Sequence, residues 1–215
     1  MKIAVLGTGE VGRRLATKLV SLGHDVTLGS RTADNADATR WAAENSARHG
    51  TFADAASSAE LVVNATGGLV SLAALQAAGA DNLRGKVLVD VSNGLDFSQG
   101  FPPSVVTPDG RSIAEQLQAA FPETRVVKTL NTMNNQVMVE PSRIPGHHNV
   151  FLSGDDADAK AQVSALLESF GWTPEQILDL GDLSSARGTE LVLPLWLRLM
   201  GTLGTGDFNF AVVKP

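Results

Sequence analysis

The sequence predicts an α/β protein with a doubly wound, mostly parallel sheet and a small C-terminal helical lobe. Short apolar runs alternate with segments of helical periodicity over most of the chain, a pattern typical of strands covered by helices on both faces. A glycine-rich turn follows the first apolar run directly. With 215 residues, of which 43% are hydrophobic, the chain can bury one full core and a small appendage but not two large domains.

The first predicted elements are a strand, a turn and a helix. Residues 3–6 form a continuous apolar run ended by Gly7, as expected of a buried parallel strand. Apolar residues then recur at helical spacing, at Val11, Leu15, Leu19 and Leu22. Gly23 lies where this helix would end. A second strand is predicted at residues 26–28, and an alanine-rich helix at residues 34–48.

Four further apolar runs predict strands, with helical patterns between most of them. They lie at residues 61–64, 87–91, 125–127 and 149–152. Residues 92–111 form an irregular segment that is too long for an ordinary connection, which suggests a lid or a contact surface.

The C-terminal segment, residues 184–215, has a different pattern from the sheet domain. It predicts a helix that Ser184 or Ser185 would cap and that Pro194 would kink. Its apolar side chains exceed what a short lobe easily covers, namely Leu191, Leu195, Trp196, Phe208 and Phe210. We therefore expect residues 1–183 to form a nucleotide-binding domain, and this segment to complete the substrate cleft or the interface of a homodimer.

The turn after the first strand has the spacing of a dinucleotide-binding motif. It reads Gly7-Thr8-Gly9-Glu10-Val11-Gly12. Gly7 allows the tight turn, Gly9 lets a pyrophosphate approach the backbone, and Gly12 permits close packing of the helix on the strand. Free N–H groups at the start of the helix would face the anion. Because the motif follows a buried strand and opens an amphipathic helix, it predicts a Rossmann-type domain.

The end of the second strand indicates which nicotinamide cofactor is bound. An NAD enzyme usually places Asp or Glu there, on the ribose 2′-hydroxyl. This chain has Ser30, Arg31 and Thr32 instead, and Asp25 lies at the wrong end of the strand. A guanidinium group and two hydroxyls can hydrogen-bond a 2′-phosphate. The sequence therefore predicts NADP(H).

Three further strand ends lead into small polar loops. Ligands of an open α/β sheet collect at the carboxyl ends of its strands, so these loops should line the cofactor and substrate cleft. The candidates are Ala65, Thr66, Gly67, Ser92, Asn93, Asn131 and Thr132. Of these, Asn131 and Thr132 are best placed for the nicotinamide and its partner. For any one residue, ordinary turn chemistry is an equal alternative.

The composition excludes several kinds of catalysis. The chain has no cysteine and no tyrosine, which rules out thiolate chemistry and the Tyr-Lys arrangement of many carbonyl reductases. His147 and His148 would point to opposite faces of an extended strand and could not chelate one metal. We therefore expect no metal and no catalytic side chain, with the protein mainly positioning a hydride donor and its acceptor.

Charge and hydropathy bear on partners and location. The net charge is −6 and the basic residues are scattered, which argues against nucleic acid as a partner. The apolar stretch at residues 191–203 is interrupted by Pro194 and Arg198 and is shorter than the ~20 residues of a membrane helix. The N-terminal apolar run is too short for a signal peptide. We expect a cytoplasmic protein with no membrane contact.

Several segments together resemble the F420-dependent NADP oxidoreductase family. They are residues 1–9, 29–31, 89–93, 127–132 and 179–183, followed by Arg187, Glu190, Pro194 and Trp196. The chain is also similar to the reductase domain of the STEAP metalloreductases. The resemblance implies NADP held by the glycine-rich turn and the Ser-Arg pair, the deazaflavin F420 as hydride partner, and no dedicated acid–base residue. Archaeal members carry a histidine where this chain has Asn131, so the hydride acceptor stays open.

Three functions are therefore considered. The first is an NADPH-dependent reductase of F420 or a related flavin-like acceptor. The second is an NADPH-dependent reductase of a small carbonyl or imine, which is less favoured because related hydroxyacid dehydrogenases need a longer helical second domain. The third is a noncatalytic module that senses NADP(H) and reports to a partner.

Overall fold

The computed structural model describes residues 1–214 and contains an eight-stranded sheet and a separate two-stranded hairpin. The strands are β1 (Lys2–Leu6), β2 (Asp25–Ser30), β3 (Arg48–Thr51), β4 (Leu61–Asn64), β5 (Val87–Asp90), β6 (Leu95–Asp96), β7 (Ser104–Val105), β8 (Arg125–Thr129), β9 (Val150–Gly154) and β10 (Ile177–Asp179). The helices are α1 (Glu10–Ser21), α2 (Ala36–Asn45), α3 (Phe52–Ser58), α4 (Gly68–Ala78), α5 (Ala80–Leu83), α6 (Ile113–Ala120), α7 (Asn135–Val139), α8 (Ala157–Phe170), α9 (Ala186–Leu191) and α10 (Leu193–Leu203).

The large sheet has the doubly wound topology that the sequence predicts. Its strands lie in the order β10-β9-β8-β5-β4-β1-β2-β3. The six strands from β8 to β3 are parallel, whereas β9 runs antiparallel to β8 and carries β10 parallel to itself. The chain order reverses between β1 and β4, so a crevice opens where their carboxyl ends separate.

Helices cover both faces of this sheet. On one face α1 and α8 bury apolar side chains such as Leu15, Leu19 and Val163 against the strands. On the other face α4 and α6 bury Leu75 and Leu117. Because the central strands are covered on both sides, most of them contain a run of consecutive apolar residues, and these runs predicted them from the sequence.

The edge of the sheet beyond β2 differs from the prediction. The helix predicted at residues 34–48 is wrong at its end, because Ser46 takes a left-handed conformation with φ of 51° and stops α2 at Asn45. Arg48 instead begins the edge strand β3, and Thr51 then caps α3. Neither element was predicted; β3 gave no signal because residues 48–51 contain no apolar side chain.

The C-terminal segment forms a small lobe with its own apolar cluster. Leu193, Trp196 and Leu197 of α10 form a buried cluster, and Leu95 and Val105 of the β6–β7 hairpin pack against it. The irregular segment at 92–111 therefore supports this lobe. Phe208 and Phe210 are half-buried against the same cluster, so of the five residues predicted to form an apolar surface, Leu191 and Leu195 are the exposed ones.

Two predicted details of the lobe need correction. Pro194 does not kink one helix; it lies in the first turn of α10, where proline is tolerated, and α9 has already ended. Ser185 precedes α9 but makes no capping bond; the Asp182 side chain accepts from the Ser184 N–H instead. No helix within residues 1–214 is long and apolar enough to cross a membrane.

Candidate functional site

The glycine-rich turn joins β1 to α1 with the geometry that its spacing predicts. Gly7 has a φ of 118°, a conformation that favours glycine. A Cβ atom on Gly12 would lie 2.0 Å from the Gly7 carbonyl oxygen, so only glycine lets α1 approach the turn this closely. Gly9 is the N-cap of α1, and no side chain caps the helix. The first N–H groups of α1 are thus left for an anion.

A continuous cleft runs across the point where the strand order reverses. Its larger part, a cavity of about 620 Å³, extends from the turn towards the end of β2 and is lined by Ser30 and Arg31. Its smaller part, a cavity of about 390 Å³, extends towards the ends of β5 and β8. The two parts share one wall, formed by Gly9, Ala65, Thr66 and Gly67. An elongated ligand can therefore span both.

Of the three residues predicted to recognise a 2′-phosphate, Ser30 and Arg31 line the larger cavity and Thr32 does not. Arg31 is exposed and makes no ion pair with another residue of the chain within 1–214. Ser30 is buried and its hydroxyl lies 2.5 Å from the Thr32 carbonyl oxygen, to which it donates. Thr32 itself is exposed and does not line the cavity. Asp25, at the other end of β2, is paired with Arg48 at 2.6 Å.

In the smaller cavity, Asn93 and Asn131 hold one another in place. Asn93 Nδ2 donates to the Asn131 carbonyl at 2.9 Å, and Asn131 Nδ2 donates to Asn93 Oδ1 and to the Thr189 carbonyl, each at 3.0 Å. Leu130 precedes Asn131 with a φ of 63°, an uncommon conformation for a branched residue, which turns the chain sharply after β8. These bonds tie the loops after β5 and β8 to the C-terminal lobe.

Thr132 does not join this group, contrary to the sequence prediction. It is buried and lines a separate cavity of about 290 Å³, together with Phe151 and Val192. The left-handed turn at Leu130 directs Asn131 to the cleft, and the next residue lines the cavity on the other side of the loop.

Two polar atoms at the smaller cavity have no partner. Ser92 Oγ and Trp196 Nε1 are both buried and make no hydrogen bond to any residue within 1–214. Both residues line the cavity, Ser92 after β5 and Trp196 in α10. Native proteins rarely leave such groups unpaired. Because both atoms have almost no accessible surface, a ligand in the cavity would meet other atoms of these two residues.

Comparison with known proteins identifies the family. Residues 2–94 match the family model described as NADP oxidoreductase, coenzyme F420-dependent. The chain is 30% identical over 210 residues to the F420-dependent NADP reductase of Methanothermobacter marburgensis, covering 93% of this chain and 92% of that protein. This chain belongs to the F420-dependent NADP oxidoreductase family. That membership makes it an NADP-dependent oxidoreductase.

Two further relatives are similar to this chain. A crystal structure of a candidate F420-dependent NADP reductase from Arthrobacter sp. FB24 superposes with a TM-score of 0.93 at 53% identity, covering 100% of both chains. Metalloreductase STEAP3 of Rattus norvegicus is 35% identical over 91% of this chain. The oxidoreductase chain spans only 38% of the length of that metalloreductase. Both relatives agree with the resemblance read from the motifs.

Behind the cleft of this oxidoreductase lies a buried ionic network centred on Lys128. Its Nζ atom lies 2.8 Å from Asp90 Oδ2 and 2.8 Å from Glu190 Oε1, and all three side chains are almost fully buried. Burial alone would lower the pKa of Lys128, but the two carboxylates raise it above its usual value. Lys128 also donates to the Ser92 carbonyl. The network therefore fixes the loop that carries Ser92 and Asn93.

Glu190 connects the same network to α6. Its carboxylate accepts hydrogen bonds from the Ile113 N–H at 2.7 Å and the Ala114 N–H at 3.3 Å, at the start of that helix. The positive end of the helix and Lys128 together compensate its buried charge. Nearby, the Arg187 guanidinium makes two bonds to Glu115 and holds the pKa of that carboxyl at about 2.

Ionisable groups are scarce in the cleft of the oxidoreductase. Among the lining residues within 1–214, Glu10 is the one ionisable side chain of the smaller cavity and Arg31 that of the larger. His148 is buried and its Nε2 lies 3.1 Å from the Pro141 carbonyl, away from the cleft. No group of three potential metal ligands occurs in the described part of the chain.

The sequence assigned the C-terminal segment to the substrate cleft or a dimer interface, but it did not identify the residues that form the apolar wall of the smaller cavity. That wall is formed by Met133, Met138, Leu193, Trp196 and Leu197. Residues 193, 196 and 197 have helical spacing and could have been recognised as one face. The partnership of Lys128 with Glu190 had no comparable signal, because the two residues are far apart in the sequence.

Proposed function

We propose that this oxidoreductase transfers hydride between NADPH and coenzyme F420 or a flavin-like acceptor, both bound in the cleft. The observation that carries the proposal is the division of one cleft into two parts with a shared wall. The larger part suits the adenosine end of the dinucleotide, and the smaller part leaves room beside the nicotinamide for a second ring. The names of the archaeal relatives support F420 as that second ligand.

The residues at the turn fit NADP. The open backbone at Gly9, where a Cβ would meet nothing within 4 Å, and the uncapped start of α1 can hold the pyrophosphate. Arg31 would hold the 2′-phosphate by charge-assisted hydrogen bonds, beside Ser30, whose hydroxyl already donates to the Thr32 carbonyl. Ser92 and Asn93 would line the nicotinamide site, and the hydrogen bonds from and to Asn131 support a fixed orientation of Asn93 there.

The lining of the smaller cavity suggests that the protein acts by positioning the hydride donor and its acceptor. NADPH, when bound, supplies the hydride. The chain orients both partners and excludes water through the apolar side chains of Met133, Leu193 and Leu197. Holding two reactants in contact can lower a barrier by ~7–11 kcal/mol without any proton donor. The scarcity of ionisable groups in the cleft fits this mechanism, and the buried network around Lys128 keeps its loops rigid.

A labelled-cofactor assay tests the proposal. The protein is mixed with NADPH carrying deuterium at C4 and, in separate reactions, with F420, FMN, a cyclic imine and a small ketone. We expect NADPH to be consumed with F420 or FMN, and the deuterium to appear on carbon in reduced F420. In FMN the hydride goes to a nitrogen that exchanges with water, so the readout there is a slower reaction with the deuterated cofactor. Reduction of the imine or ketone alone would replace the proposal with the second function. Tight NADPH binding without turnover of any acceptor would favour the sensing module.

A further inference from the structure

Two neighbouring strands of the sheet, β4 and β5, end in the same kind of turn. Asn64 is the last residue of β4 and Asp90 the last of β5, and the two are paired in register. Asn64 Oδ1 accepts from the N–H of Thr66, and Asp90 Oδ1 accepts from the N–H of Ser92, each at 3.3 Å. Each strand end thus holds the loop that follows it, and both loops line the cleft.

The two turns are joined by a hydrogen bond between buried side chains. Asn64 Nδ2 donates to Asp90 Oδ1 at 2.7 Å and to Ser71 Oγ at 2.9 Å, and neither Asn64 nor Asp90 has accessible surface. Holding the N–H of Thr66 requires only an acceptor, which a carboxylate would also supply, as Asp90 does for Ser92. The amide of Asn64 adds a donor, since an ionised carboxylate can only accept. This donor links the two loops.

The loops also touch through their backbones. The Gly68 N–H donates to the Asn93 carbonyl at 2.9 Å, and a Cβ atom on Gly68 would lie 2.5 Å from that oxygen. The side-chain bond and this close approach together fix the spacing between the loops. One loop carries Thr66 of the shared wall, and the other carries Ser92 and Asn93 of the smaller cavity.

We infer that Asn64 is a positioning residue for hydride transfer, which holds the shared wall at Thr66 at a fixed distance from the nicotinamide loop at Ser92 and Asn93. The inference rests on the proposal that one cleft holds NADPH and its acceptor. The dinucleotide crosses the shared wall before its nicotinamide enters the smaller cavity, so the position of that wall sets how closely the ring approaches the acceptor. Asn64 lines neither part of the cleft; it acts through Thr66, whose hydroxyl donates to Asn64 Oδ1 at 2.7 Å.

Steady-state kinetics of Asn64→Leu test this role, since leucine has a similar volume and no polar atom. We expect kcat with F420 or FMN to fall roughly tenfold or more, because misplacing reacting groups by about 1 Å costs on the order of 10²-fold. The KM for NADPH should change little. Thr124→Val is the matched control: Thr124 is buried just before β8, at the opposite end of the sheet, and donates to the Leu83 carbonyl at 3.2 Å. It should lower Tm and leave kcat unchanged.

A double-mutant cycle shows whether Asn64 acts through Thr66. Thr66→Val removes the hydroxyl that bonds to Asn64 and should lower kcat by itself. In the double variant we expect kcat to be no lower than in Asn64→Leu alone, because the same link is broken only once. Losses of kcat that multiply would overturn the inference, as would the kcat of the parent in Asn64→Leu at a lowered Tm.

A measurement without any acceptor separates this inference from the proposed function. Time-resolved fluorescence anisotropy of bound NADPH reports how freely the nicotinamide rotates. We expect faster rotation in Asn64→Leu than in the parent, and rotation like that of the parent in Thr124→Val. Equal rotation in parent and Asn64→Leu would overturn the inference even if F420 is reduced. Faster rotation in Asn64→Leu, with neither F420 nor FMN reduced by the parent, would support the inference and contradict the proposed acceptor. If Asn64→Leu does not fold, Thr66→Val, which cuts the same link at a half-buried residue, carries both measurements.

Discussion

Arg31 is the residue on which the choice between NADPH and NADH depends. It lines the larger cavity, and no carboxylate of the chain within 1–214 pairs with it. We expect Arg31→Ala to reduce the preference for NADPH roughly tenfold or more, since a charge-assisted bond contributes about 1.5–3 kcal/mol. Calorimetric titration with both cofactors measures this. Arg84→Ala, which removes an arginine away from the cleft, is the control. Equal affinities in the parent protein would contradict the assignment.

Glu115 and Arg187 predict how stability responds to acid. The pKa of Glu115 is about 2 in the folded protein, below its ordinary value of 4.5, because Arg187 bonds to the ionised carboxylate. The pair therefore stabilises the fold fully above pH 4.5, and its contribution is lost as the pH falls from 4.5 to about 2. We expect Arg187→Met to be less stable than the parent at neutral pH, with the difference vanishing near pH 2.

Urea unfolding across this pH range measures the effect. Arg187→Lys is an informative companion, because it retains a positive charge without the fork that makes two bonds to Glu115. Its stability should lie between those of the parent and Arg187→Met. A difference between parent and Arg187→Met that does not change with pH would show that the ion pair is not its source.

At the level of single residues, the sequence was informative where a motif fixes the register. Gly9 and Arg31 were placed correctly in the cleft because each follows a recognisable strand at a known offset. Thr132 was misplaced, because the left-handed turn at Leu130 is a tertiary feature with no glycine to announce it. Trp196 was singled out because it matches the family pattern. The sequence could not show that its indole Nε1 lacks a hydrogen-bond partner, since that depends on neighbours distant in sequence.

The β1–α1 element makes two glycine substitutions behave differently. A Cβ on Gly12 would clash with the Gly7 carbonyl, whereas a Cβ on Gly9 would meet no atom of the protein within 4 Å, and Gly9 belongs to the wall that both parts of the cleft share. We expect Gly9→Ala to retain the Tm of the parent but to bind NADPH at least tenfold more weakly, and Gly12→Ala to lose both stability and binding.

Thermal melts and cofactor titrations of the two variants measure the difference. Each variant serves as the control for the other, since both add one methyl group to the same glycine-rich turn. Loss of stability in Gly9→Ala equal to that in Gly12→Ala would mean that the turn has no open side for a phosphate.

At the level of elements, hydropathy predicted buried strands and missed edge strands. The runs of β1, β4, β5 and β8 are apolar because both faces are covered. The edge strand β3 has the sequence Arg48-His49-Gly50-Thr51 and carries no such pattern. The reversed direction of β9 was also beyond prediction, since an apolar run does not show which way a strand pairs.

The whole molecule presents an apolar strip on the C-terminal lobe. Leu191, Leu195 and Leu203 are each more than half exposed, although the neighbouring side of α10 is buried. Covering such a strip favours association, and a second copy of the chain would do so symmetrically. The homodimer predicted from the sequence therefore remains our expectation, now with Leu191 and Leu195 at its centre.

Light scattering after gel filtration tests the dimer. We expect a dimer for the parent protein at micromolar concentration and a monomer for the double variant Leu191→Glu and Leu195→Glu, because buried like charges oppose the contact. Leu22→Glu adds the same kind of charge at an exposed leucine at the end of α1 and should leave the dimer intact. A parent protein that is monomeric at every concentration measured would contradict the predicted dimer.

The position of Glu190 limits which C-terminal lobes can be exchanged into this protein. Exchanging the C-terminal lobe for that of a relative is an obvious route to a different acceptor, since the lobe supplies one wall of the smaller cavity. A donor lobe without a carboxylate at this position would leave the ammonium group of Lys128 with one counter-ion and the start of α6 without its acceptor. A working chimera must therefore inherit Glu190 with the lobe, whatever else is redesigned.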